Sequence, residues 1–97
     1  GALTVLTHTM AQRLGGAGVR VNCVAAAGIV QVPVGVTVDR YVGDPEVARQ
    51  VTPLNRMPGA GEIAAVCTFL AGPDASYVSG AVIPVDGGRI AATPGTW

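Results

Sequence analysis

The stretch Val19-Arg20-Val21-Asn22-Cys23-Val24-Ala25 carries apolar side chains on both of its alternating sets. A strand of that kind has no polar face to give to water, so it belongs inside a parallel sheet covered by helices. A second apolar run, Ala81-Val82-Ile83-Pro84-Val85, closes the patterned part of the chain. Helical patterns lie between the two runs, so they form a βαβ unit, expected to be parallel and right-handed. Composition agrees: 49% of the 97 residues are hydrophobic, 4% are aromatic and 14 are glycine. Val-rich, Gly-punctuated, aromatic-poor chains suit the α/β class. Inside such a strand Asn22 needs hydrogen-bond partners. Pro84 donates no ladder bond and suits a sheet edge.

Gly1 to Leu14 reads as a helix, with Leu3, Leu6, Met10 and Leu14 spaced 3, 4 and 4. At 100° per residue they fall on one stripe about 80° wide, with Thr4, His8 and Gln12 on the other side. No capping residue precedes Ala2, so the helix enters the chain as if its first turns were missing. Gly15-Gly16 is expected to stop it, glycine taking the left-handed conformation without a Cβ penalty. Glu62 to Ala71 is the second strong helix: Ile63, Val66, Cys67 and Leu70 share a face, with Phe69 beside them. Its opposite side carries Ala64, Thr68 and Ala71 and no charge, so both sides are expected to be covered. Gly72-Pro73-Asp74 ends it. Asp44-Pro45-Glu46 opens a short helix that runs to about Val51, with Asp as N-cap and Pro at the first position. Residues 29–38 alternate valines, yet Pro33 and Gly35 oppose a strand, and the segment reads as an apolar loop.

Two glycine motifs look like phosphate cradles. Gly15-Gly16-Ala17-Gly18 has its context reversed, since a helix precedes it and a strand follows, whereas anion sites use a helix N-terminus. It reads as a helix stop and turn. Gly59-Ala60-Gly61-Glu62-Ile63-Ala64 matches G-x-G-x-x-A and opens a helix, with Asp86 ending a later strand. No strand precedes it, because the preceding residues contain Pro53 and Pro58, and Glu62 puts a carboxylate where a pyrophosphate belongs. It reads as a helix-entry turn.

The charges narrow the partners. Six Arg, no Lys and six acidic residues give zero net charge, leaving no basic face for nucleic acid or an anionic membrane surface. No apolar run reaches the ~18 residues of a membrane span, and no signal peptide is visible. Cys23 and Cys67 belong to no CxxC pair, and with one His they form no usual metal site. They are expected reduced and buried, which fits a cytoplasmic setting. His8 is expected exposed on its helix. Asp86 is expected to cap its own turn, Arg20 to find a local partner, and Tyr77 to pack with its hydroxyl at the surface.

Taken together these stretches resemble the C-terminal part of short-chain dehydrogenases/reductases. The carrying residues are Gly1-Ala2-Leu3 through Leu14, Arg20-Val21-Asn22-Cys23-Val24-Ala25 and Gly28-Ile29-Val30-Gln31-Val32-Pro33. Pro53-Leu54-Asn55-Arg56, Glu62-Ile63-Ala64, Phe69-Leu70-Ala71 and Ser76-Tyr77-Val78-Ser79-Gly80 leading to Val85-Asp86-Gly87-Gly88 complete them. The resemblance runs from Gly1 to about Gly88. It implies a doubly wound Rossmann-like parallel sheet, of which this chain is the C-terminal portion in the order helix, strand, helix, helix, strand. Residues 1–97 are then a single partial domain, with 89–97 a tail.

The resemblance also implies a function. Members of the family bind NAD(H) or NADP(H) with the first half of the sheet, and a Ser-Tyr-Lys set moves hydride and proton between alcohol and ketone. This chain would begin immediately after the catalytic Lys. No catalytic or metal-binding residue is then expected within it. Cofactor contacts are expected from Ala27, Gly28 and Ile29, whose backbone faces the nicotinamide amide, and from Val32, which stands where the family has Thr and has no hydroxyl to donate. Neither Tyr41 nor Tyr77 has a basic residue four positions later. The reading is part of an NAD(P)-dependent oxidoreductase acting on a carbonyl or secondary alcohol, inactive as this chain alone. A non-catalytic assembly or binding module derived from that family is the alternative. Either way the chain is expected to associate, as a homo-oligomer or with a complementing N-terminal half.

Overall fold

The computed structural model describes residues 1–26 and 49–92. The valine-rich loop, the helix start at Asp44 and the expected cofactor contacts Ala27, Gly28, Ile29 and Val32 lie outside the described residues. Helix α1 spans Ala2–Leu14, strand β1 Cys23–Ala26, helix α2 Ala60–Ala71, strand β2 Val82–Val85 and the short helix α3 Arg89–Ala92. Short 3-10 turns follow α1 at Gly15–Ala17 and α2 at Pro73–Ala75. Residues 49 and 50 are also helical.

β1 and β2 pair in parallel, Cys23 with Val82 through Ala26 with Val85. Both α1 and α2 contact β1. The fold class is thus α/β with a parallel βα-type crossover, as the apolar runs imply. β1 is shorter than the expected seven residues. Ahead of it the pairing is irregular: the Gly80 N–H donates to the Val21 carbonyl at 2.7 Å and the Val21 N–H to Ser79 Oγ at 3.2 Å. The apolar run ahead of Cys23 is not regular strand, and a side-chain acceptor replaces the regular ladder.

The inward face of α1 differs from the leucine stripe. Thr7 is buried, Thr4, Ala11 and Leu14 are half-buried, and Leu3, Leu6 and Met10 are exposed. This face meets the chain ahead of β2 through small groups: a Cβ on Gly80 would sit 3.5 Å from the Ala11 Cβ, an ordinary van der Waals contact. Thr7 satisfies its hydroxyl by donating to the Leu3 carbonyl at 2.6 Å, one turn back. The helix stop differs too. Gly15 keeps right-handed helical angles, and Gly18, with φ +79°, is the left-handed residue that turns the chain toward β1.

In α2 the inward residues are Ile63, Val66 and Leu70, and Leu70 is buried. Cys67, Phe69 and the small side, Ala64, Thr68 and Ala71, are exposed. Among the described residues the expectation that both sides are covered is not met. Among the described residues only Leu70 and Ala75 are buried hydrophobics, while Leu3, Val5, Leu54 and Phe69 stand open. Both cysteines are free thiols, Cys23 half-buried and Cys67 exposed rather than buried. Among the described residues, no helix is long and apolar enough to cross a membrane.

Candidate functional site at the carboxyl ends of the strands

Because the strands are parallel and in register, Ala26 and Val85 finish level with one another. In open α/β sheets ligands bind in the crevice outside these carboxyl ends. β1 runs directly from Ala26 into Ala27, the first of the expected cofactor contacts. β2 runs into Asp86-Gly87-Gly88.

That second exit is tightly built. Asp86 accepts from the Gly88 N–H at 2.9 Å and from the Ile90 N–H at 3.1 Å. Its carboxylate therefore caps its own turn and the start of α3, as expected. Gly87 has φ +65°, and a Cβ there would fall 2.6 Å from Thr52 Cγ2. Glycine is required both for the turn and for the approach of residues 52–54. The Leu54 N–H donates to the Gly87 carbonyl at 3.1 Å. Between this segment and the strand exit lies a small cleft of about 100 Å³, lined by Thr52, Leu54, Arg56, Pro58, Glu62 and Val85 to Gly87.

Glu62 closes one side of the cleft. It forms a bidentate pair with Arg56, Nη1 to Oε1 at 2.7 Å and Nη2 to Oε2 at 2.8 Å. Its Oε1 also accepts from the Gly59 N–H at 2.9 Å. The Arg56 hydrogen bonds and the Gly59 amide hold the Glu62 carboxyl down at about 2. The same pairing raises Arg56. The glycine motif at Gly59 is thus a capped helix entry, and its first amide already has an anionic partner. No strand precedes it, residues 51–59 being turns and irregular chain. Gly15 to Gly18 likewise follows a helix and leads into irregular chain before β1. Neither motif has the strand–glycine–helix form that cradles a pyrophosphate.

At the opposite end of the strands sits a network that sequence reasoning missed. Arg20 Nη1 donates to the Leu70 carbonyl at 2.7 Å and to the Val78 carbonyl at 3.3 Å, and Nη2 to the Gly72 carbonyl at 3.1 Å. Its partners are distant in sequence, not local as expected. Asn22 Nδ2 donates to the Val78 carbonyl at 2.9 Å, and Asn22 Oδ1 accepts from the Ala81 N–H at 3.0 Å. Arg20 satisfies carbonyls left open at the α2 C-terminus, where a cation is also favoured by the helix dipole. The one available signal was spacing: residues 20 and 22 project to the same side of an extended chain. His8 is exposed, as expected. Tyr77 does not pack at all, its side being 101% exposed. Among the described residues no group of His, Cys, Asp or Glu could hold a metal ion.

The comparisons with known proteins bear on this arrangement. The family model described as Enoyl-(Acyl carrier protein) reductase matches residues 1–89. The solved structure of a short chain dehydrogenase family protein from Francisella tularensis superposes with a TM-score of 0.76 and 29% identity, covering 94% of this chain and 41% of that one. The chain belongs to the short-chain dehydrogenase/reductase family. Among curated relatives of this oxidoreductase family, galactitol 2-dehydrogenase (L-tagatose-forming) of Cereibacter sphaeroides is 41% identical over 88 residues, covering 91% of this chain. Levodione reductase of Leifsonia aquatica is 40% identical over 94 residues, covering 90%. The chain spans about a third of the length of these relatives, 34% of each.

Proposed function

We propose that this chain is the C-terminal part of an NAD(P)-dependent dehydrogenase or reductase that interconverts a carbonyl and a secondary alcohol. The observation that carries the reading is the family match over residues 1–89. Relatives whose names describe oxidation of a polyol and reduction of a dione support it. Residues 27–32 leave the β1 carboxyl end and would supply the nicotinamide-side contacts through Ala27, Gly28, Ile29 and Val32. The described residues do not fit the phosphate end of a dinucleotide, since the Gly59 amide is taken by Glu62 and Gly15 to Gly18 follows a helix.

Proton exchange with an alcohol near neutral pH needs a phenol whose pKa is lowered, and a neighbouring ammonium supplies that shift. The 97 residues contain two Tyr and no Lys. On this reading the chain alone does not catalyse hydride transfer and needs an N-terminal polypeptide. The two free thiols accord with a reducing, cytoplasmic setting. A second reading, a non-catalytic assembly module, is favoured by the exposed apolar residues of α1 and by a β1 that pairs on one side alone among the described residues.

One experiment separates the two. NADH and NADPH are titrated by fluorescence against the pure chain, and ketone reduction is assayed with and without an N-terminal polypeptide of the family. No saturable binding by the chain alone, with turnover appearing on complementation, is the expected result. Turnover by the pure chain of confirmed mass overturns the need for a partner. Failure of every complementing polypeptide to restore turnover favours the assembly module.

A further inference from the structure

Helix α2 is held at each end by an arginine, and the two anchors differ in kind. At its C-terminal end the partly buried Arg20 grips the neutral carbonyls of Leu70 and Gly72. At its N-terminal end Arg56 pairs with the Glu62 carboxylate, and these side chains are 55% and 49% exposed. Exposed ion pairs are screened by salt, whereas hydrogen bonds to buried neutral carbonyls respond little.

Arg56 belongs to a segment that keeps its own shape. Asn55 is left-handed at φ +58°, a conformation that Asn tolerates better than most residues. Its N–H donates to the Thr52 carbonyl at 2.7 Å, and its Oδ1 accepts from Arg49 Nη1 at 2.8 Å. Toward β2 the backbone tie is the Leu54 N–H to the Gly87 carbonyl at 3.1 Å. Leu54 itself is 63% exposed, so little apolar burial reinforces that tie. Segments with few buried contacts and exposed backbone bonds open at low free energy, independently of the core.

We propose that residues 52–56 form a salt-sensitive latch that ties the N-terminal end of α2 to the turn after β2 and releases as a unit while the β1–β2 pairing and the Arg20 anchor stay in place. Release separates Thr52, Leu54 and Arg56 from Val85, Asp86 and Gly87, the two walls of the cleft at the strand ends. Ionic strength thereby sets how often this side of the cleft opens. The latch depends only on residues described above and not on the reaction or cofactor proposed for the fold.

Amide hydrogen exchange on the full polypeptide tests this. Raising NaCl from about 0.02 M to about 0.5 M shortens the screening length from roughly 20 Å to roughly 4 Å. The Leu54 amide is expected to exchange about two- to fivefold faster, the range that an exposed ion pair commands. The Gly80 and Cys23 amides, bonded to Val21 and Ala81 in the core, keep their rates. Arg56→Met abolishes the salt response and fixes the Leu54 rate near its high-salt value, and Arg56→Lys falls between. A Leu54 rate independent of salt overturns the proposal. So does equal acceleration at Gly80 and Cys23, which would mean general loosening. The salt titration of the unaltered chain decides the matter even where a variant fails to fold.

Discussion

Arg20 and Asn22 meet at one acceptor, the Val78 carbonyl, and between them tie the chain after α2 to the start of β1. An arginine here is not replaceable by its stem alone. Arg20→Met keeps much of the apolar length but leaves the carbonyls of Leu70 and Gly72 without their donor. Hydrogen bonds from a charged group contribute about 1.5–3 kcal/mol, so a loss of that order is expected in a urea titration. Glu62 gives a pH prediction whose sign follows from its lowered carboxyl, about 2 against an ordinary 4.5. A depressed carboxyl adds stability above its unfolded value and loses it as pH falls through the folded one. The stability gap between the unaltered chain and Glu62→Gln is therefore expected to be constant well above pH 4.5, to shrink below it, and to be lost as pH falls through about 2. Of these roles, Asp86 was legible from Asp-Gly-Gly because an Asx turn is local. The need of Asn22 for partners was legible as well. That Arg20 would find carbonyls 50 or more positions away was not, because backbone acceptors carry no signature in the sequence.

Among the elements, α2 was legible in position and face, and α1 only in position. Periodicity locates an apolar stripe but does not say which neighbour comes closest. In α1 the small residues Thr4, Thr7 and Ala11 face inward, Ala11 toward Gly80, and Leu3 and Leu6 stay outside. Stability should follow burial rather than hydrophobicity. Leu70 is 7% exposed, and Leu70→Ala is expected to cost about 2–3 kcal/mol, the lower part of the usual range because the core around it is thin. His8→Ala, on the exposed side of α1, should stay within about 0.5 kcal/mol. Equal shifts in urea midpoint would show that the helix faces are wrongly assigned. The expected cofactor contacts Ala27, Gly28, Ile29 and Val32 were legible only through family resemblance, since nothing in their own pattern marks a ligand.

At the largest scale the governing fact is that, among the described residues, two parallel strands and three helices bury few large side chains. A two-stranded sheet is marginal in water, and an open apolar edge invites pairing. Association is therefore expected, and light scattering should report a species larger than one chain. A compact monomer at micromolar concentration would contradict it. Leu6→Lys should weaken that association while barely changing the helix itself, because Leu6 is 51% exposed here. The register of the sheet has one more consequence, in time rather than space. Asn22 waits for Ala81, 59 positions later, before its side chain finds a backbone donor. At about 5–20 residues per second of synthesis, the first strand leaves the ribosome roughly 3–12 seconds ahead of its partner. During that interval α1 can reach the first strand, but the edge that β2 will occupy stays unpaired by β2. A substitution that slowed translation between the two strands would lengthen that exposure without changing a single contact of the finished fold.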